Sequence, residues 1–116
     1  MDKQAIENFA HAQVRAWNAG DKEAFLAAYR AVAPKGLQIE YVGRGPSTDG
    51  WPVLEDMWAA QSAKIEIEEV ALVINGSEAA CHNRNKVRGT PMAIETIELY
   101  RFDDGKLDVR YFIRQP

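Results

Sequence analysis

"IELYRFDDGKLDVRYFIR", residues 97–114, reads as two strands around a tight turn, and its register decides which side chains share a face. A two-residue Asp-Gly loop would pair Asp103 with Lys106 and set Glu98 opposite Tyr111. A three-residue loop, with Gly105 in a left-handed bulge position, pairs Phe102 with Lys106 and Glu98 with Arg110. The second register gathers Ile97, Leu99, Leu107, Val109, Tyr111 and Ile113 on one face. Thr96, Glu98, Tyr100, Phe102, Arg110, Phe112 and Arg114 then fall on the other. It also brings opposite charges together across the strands, so it is the register expected here.

Upstream, "KIEIEEVALVI" at 64–74 opens with strict alternation and reads as a strand. "NGS" at 75–77 is the strongest turn signal in the chain, so "EAACHNRNKV" at 78–87 should return as its hairpin partner. "RGTP" separates that strand from "MAIETIELYRF". The first half is helical. Ile6, Phe9, Ala10, Val14 and Trp17 recur at helical spacing over residues 3–18, Gly20 stops the helix, and Asp21 caps a second, "KEAFLAAYRAV". A short strand, "LQIEYVG", follows. "GRGPSTDGWP" reads as a loop, and Pro52 suits the first turn of a third helix running to about Gln61. The order is two helices, a strand, a helix and a four-strand meander, an α+β arrangement in which a curved antiparallel or mixed sheet wraps around three N-terminal helices.

At 116 residues the chain reads as one domain, 1–116. Its net charge of −3 argues against a nucleic-acid or anionic-membrane binder, and no apolar run is long enough to span a bilayer. The acidic, amphipathic start is unlike a secretory signal, so a cytoplasmic location is expected. The single cysteine, Cys81, excludes an intramolecular disulfide and a Cys-rich zinc site. His11 and His82 have no partner spacing for a metal. His11 is expected on the solvent side of its helix and His82 on the outer sheet face. Neither a cofactor nor a metal is implied.

"RAWNAGDKEAFLAAY", "IEYVG", "DGWPVLEDMW", "EAAC" and "IELYRFDDGKL" together resemble the nuclear-transport-factor-2-like superfamily, the cone-shaped α+β barrels that include ketosteroid isomerase and polyketide cyclases. The resemblance spans nearly the whole chain and implies a central pocket. It places the isomerase's oxyanion-hole tyrosine at Gln13, its general-base aspartate at Tyr41, a pocket tyrosine at Trp58 and its protonated aspartate at Glu98. The cyclases' acidic residue falls at Phe112 and a nearby histidine at Arg110. With the base replaced, steroid isomerisation by the family's mechanism is not expected. The resemblance also favours the three-residue loop, turns the charged face of the last hairpin inward, and makes Asn83 and Asn85 face the pocket.

The expected pocket is therefore polar. Gln13, Asn83, Asn85, Glu98, Arg110 and Arg114 would contact a polar or anionic small molecule, between walls of Tyr41, Trp58, Tyr100 and Phe112. Glu98 is the candidate acid–base group and Arg110 its orienting or charge-stabilising partner. The plain alternative for that pair is a structural cross-strand ion pair. Arg44 and Trp51, in the loop beside the pocket mouth, are placed to cover a ligand. Two readings of different class follow. One is a small-molecule-binding protein extending to a cofactor-independent isomerase, cyclase or dehydratase. The other is a non-catalytic module that homodimerises, or binds a partner, through an outer sheet face carrying Leu99, Val109, Tyr111 and Ile113, its pocket vestigial.

Overall fold

The computed structural model describes residues 1–113. Three helices, α1 (Lys3–Ala19), α2 (Lys22–Val32) and α3 (Gly50–Gln61), lie against one curved, open six-stranded sheet. Its strands are β1 (Gly36–Tyr41), β2 (Thr48–Asp49), β3 (Ile65–Asn75), β4 (Glu78–Val87), β5 (Ala93–Asp103) and β6 (Lys106–Ile113), in the order β2-β1-β6-β5-β4-β3. All neighbours are antiparallel except β1 and β6, which run parallel. The sheet is thus mixed, as the α+β reading allowed. The stretch expected as pure loop contains the two-residue β2, which hydrogen-bonds to β1 at Gln38 and Ile39.

Local chemistry sets the helix ends. Asp2 accepts the Ala5 N–H at 2.8 Å and Asp21 accepts that of Ala24 at 3.1 Å, each satisfying an otherwise orphaned donor. Between these caps, Ile6, Phe9, Val14 and Trp17 form one buried stripe of α1. The last turn of α1 docks on the sheet edge. Asn18 donates to Ile67 O at 2.9 Å and accepts the Ile67 N–H at 2.8 Å, while Trp17 Nε1 donates to Ile65 O at 3.0 Å. These bonds occupy backbone groups of edge strand β3 that would otherwise be open to another chain. At the other end of the sheet α3 comes so close that a Cβ on Gly50 would stand 2.4 Å from Leu37 Cγ.

The β5–β6 hairpin corrects the expected register. Asp103 pairs with Lys106 and Glu98 with Tyr111, while Arg110 lies opposite Leu99. Asp104 and Gly105 form a two-residue turn with φ of 49° and 76°, the positive-φ pair of a type I′ turn, whose twist suits the flanking strands. Side chains of β6 are consequently one residue out from the expectation. Leu107, Val109 and Tyr111 are buried on the inner face beside Tyr100 and Phe102, and Ile113 lies on the same side. Lys106, Asp108, Arg110 and Phe112 face outward. Burying three apolar β6 side chains under the helices outweighs one cross-strand charge pair.

Candidate functional site

Between α1, α3 and the inner sheet face lies a cavity of about 330 Å³. Exposed Arg44, Gln61 and Ile94 stand at its rim, and buried Gln13, Tyr29, Thr96, Glu98 and Tyr111 lie deeper. Trp17, Phe25, Ile65 and Ile67 complete a largely apolar and aromatic wall.

Glu98 is the chemical centre of this cavity. Alternation along β5 puts Thr96, Glu98 and Tyr100 on the inner face, and β4 brings Asn83 alongside. The Tyr100 hydroxyl donates to Glu98 Oε1 at 2.5 Å. Thr96 Oγ1 donates to Glu98 Oε2 at 2.9 Å and Asn83 Nδ2 to the same oxygen at 3.2 Å. Asn85 Nδ2 in turn donates to Thr96 Oγ1 at 3.1 Å and to Ile94 O at 2.9 Å. Three of the roughly four acceptor positions of the carboxylate are thereby filled from the protein, leaving about one for a ligand.

Burial raises the Glu98 pKa above the usual carboxylate range, and the hydrogen bonds from Tyr100, Thr96 and Asn83 oppose that shift without cancelling it. No ion pair to Glu98 forms among the described residues; its expected partner Arg110 instead binds Glu40 Oε1 at 3.1 Å on the outer face. Desolvation and the negative charge of Glu98 raise the hydroxyl pKa values of Tyr29, Tyr100 and Tyr111 in the same way. These phenols stay protonated and serve as hydrogen-bond donors. A carboxyl group brought closer to neutrality, ringed by neutral donors and opening on an apolar cavity, can give or take a proton.

Of the expected contacts, Gln13, Tyr41, Asn85 and Glu98 line the cavity. Asn83 and Tyr100 reach it through their bonds to Glu98. Trp58 lies behind the wall, with ring centroids 5.4 Å from Trp17 and 5.2 Å from Phe25. Arg110 and Phe112 are outside, the guanidinium 5.2 Å from the Phe112 ring centroid, for the register reason given above. Arg114 lies outside the described residues. The cavity is accordingly less polar than expected, because β6 contributes Tyr111 and Ile113 to it rather than arginine and phenylalanine.

Arg44 reaches the rim, whereas Trp51 packs near Leu26 and Ala33 in a different hollow. Trp17, Phe25 and Tyr29 were legible as the buried stripes of α1 and α2, but a stripe does not distinguish core from cavity wall. His11, expected in solvent, has Nδ1 2.8 Å from Glu69 Oε1. His82 is on the outer face as expected, 3.6 Å from Glu95. Among the described residues no group of acids, histidines or cysteines is spaced to hold a metal, and no helix is long and apolar enough to cross a membrane.

No family model and no curated protein matches the chain. Solved structures do. An NTF2-like protein of unknown function from Burkholderia xenovorans superposes with a TM-score of 0.77 at 15% identity, covering 98% of this chain and 86% of the other. A candidate ketosteroid isomerase from Kribbella flavida gives 0.70 at 14% identity, over 97% and 80%. A candidate polyketide cyclase from Sinorhizobium meliloti gives 0.65 at 16%, over 92% and 97%. Identities this low speak for backbone architecture and not for chemistry. The chain has the nuclear-transport-factor-2-like fold, an α+β cone whose curved, open sheet and helices surround a side-chain-lined cavity.

Proposed function

We propose that this chain binds a small molecule in the Glu98 cavity and uses that carboxyl as a cofactor-independent acid–base group, in chemistry of the isomerase, cyclase or dehydratase type. The observation that carries the reading is Glu98 itself: 8% exposed, bonded to three neutral donors, paired with no cation among the described residues, and lining a cavity. A carboxylate kept only for stability would be expected beside a cation, because burying an uncompensated charge is costly. Candidate isomerases and cyclases among the structural neighbours support the reaction class by analogy of fold. Tyr41 in place of the isomerase's base leaves Glu98 as the proton-transferring group. Tyr100, Thr96 and Asn83 position it, Asn85 holds Thr96 in place, and Gln13 orients the ligand.

The test is a thermal-shift screen against small metabolites on the parent and on Glu98→Gln. A ligand at one hundred times its Kd should stabilise the parent by about 2.7 kcal/mol. Turnover of that ligand by the parent, lost in Glu98→Gln with binding retained, is the expected result. Binding and turnover unchanged in the variant would remove Glu98 from the reaction.

A second reading, homodimerisation through the outer sheet face, is favoured by exposed Val73 and Ile97, at 64% and 44% exposure, with Leu99 and Phe112 beside them. It keeps Leu99 from the sequence expectation but not Val109, Tyr111 or Ile113, which face inward.

A further inference from the structure

The polar groups of the cavity divide into those already bonded to protein and those that are not. Glu98 accepts three hydrogen bonds, and the Asn85 amide is spent on Ile94 and Thr96. Gln13 is different. It is only 5% exposed and lines the cavity, yet its side-chain amide makes no hydrogen bond among the described residues. The only fully enclosed polar side-chain atom left without a partner among the described residues is Glu95 Oε2, so the Gln13 amide opens on the cavity, where an entering ligand can meet it. At the rim, Arg44 is the sole cation among the described lining residues, and its guanidinium joins no ion pair among the described residues. At Tyr41 nearby, the charge of Arg44 works against that of Asp56. Between rim and floor the lining is apolar and aromatic, with Ile65, Ile67, Tyr111 and Ile113.

We infer that the ligand is a small amphipathic monoanion: a carboxylate held at the mouth by Arg44, a flat apolar body, and a distal hydroxyl or carbonyl meeting Gln13 and Glu98 at the floor. This rests on the ligand-pocket reading above and specifies its substrate class. One arginine fork matches one carboxylate, and the planar guanidinium suits bidentate capture better than a lysine would. The Gln13 amide offers both a donor and an acceptor, so it complements a hydroxyl, which does the same. The cavity volume, near the lower end of the usual ligand-site range, fits a body of one or two fused rings.

The experiment is calorimetric titration of the full chain with 6-hydroxy-2-naphthoate, its primary amide, and 2-naphthoate. In the parent the carboxylate should bind about tenfold tighter than the amide. Arg44→Gln, on an exposed loop, should bring that ratio to about one while leaving amide affinity unchanged. Gln13→Leu should remove the advantage of the hydroxylated probe over 2-naphthoate and keep the carboxylate preference. Equal binding of carboxylate and amide by the parent, or a preference that survives Arg44→Gln, overturns the monoanion inference and leaves the pocket standing. Failure of all three probes to bind overturns the pocket reading with it.

Discussion

Arg110 and Glu98 are on opposite faces of the sheet: Arg110 Nε lies 3.1 Å from Glu40 Oε1 outside, while Glu98 lines the cavity inside. Adjacent strands β1 and β6 run parallel there, so Glu40 and Arg110 are register partners. Both side chains keep contact with solvent, and such pairs contribute at most about 1 kcal/mol. Arg110→Ala should therefore lower stability in urea unfolding by no more than about that amount. It should leave hydroxynaphthoate affinity untouched. A large loss of binding would return Arg110 to the site.

Glu98 makes stability depend on pH in a stated direction. Its pKa in the folded chain is raised above the ordinary 4.5, so in that window the native state binds more protons than the unfolded one. Stability from this group is present below the unfolded pKa and lost as pH rises through the folded one. Glu98→Gln removes the dependence. The melting temperature of the variant relative to the parent should hence rise between acid and neutral pH, then level off. A difference that stays flat across that range would mean Glu98 titrates normally.

Much of this was legible in the sequence, for physical reasons that also explain what was not. The helical stripe through Ile6, Phe9, Val14 and Trp17 and the alternation along "KIEIE" are periodic signals set by burial, and they gave the elements. Thr96, Glu98 and Tyr100 were correctly grouped because they sit on one strand, where parity alone decides. Which β6 residues join them depends on a single turn. There "DDG" offers two loops: the charge pairing of Glu98 with Arg110 favours one, and the stronger Asp-Gly preference for a two-residue turn favours the other, which forms. One residue of slip moved Arg110 and Phe112 to the wrong face. The wall formed by Tyr29 and Tyr111 needs the packing of α2 over the sheet, which no local pattern encodes.

Gly50 offers a test of how tightly α3 is seated. A Cβ there would meet Leu37 Cγ at 2.4 Å and Ile39 Cγ1 at 2.9 Å, and both neighbours are fully buried. On helix propensity alone, alanine should be better than glycine by up to about 1 kcal/mol. Overpacking works against it at about 1–3 kcal/mol. Gly50→Ala should accordingly destabilise, seen as a lower urea midpoint at unchanged slope. A neutral or stabilised variant would show that α3 shifts freely away from β1.

Cys81 should behave as an inert thiol. It is buried opposite Glu98 in the β4–β5 register, and burial with the nearby charges of Glu98 and Glu69 pushes its pKa up to about 12. The thiolate, which is the reacting form, is then scarce at mild pH. Ellman's reagent should find no reactive thiol in the native chain and one after unfolding in guanidinium. Fast labelling of the native chain would indicate an opening of β4 or β5.

The outer face makes its own prediction. Ile97 stands across β5–β6 from Phe112 and across β4–β5 from His82, with exposed Val73 further along the same side. A two-fold interface uses the same patch on both copies, so a charge placed at its centre is introduced twice and close together. If the proposed dimer forms there, sedimentation should give twice the chain mass for the parent and a single chain for Ile97→Glu. Lys106→Ala, at the far end of β6, should sediment like the parent. A parent that stays monomeric at all concentrations would dispose of the dimer. A dimer that survives Ile97→Glu would put the interface elsewhere and leave Val73 and Ile97 as ordinary exposed apolar side chains.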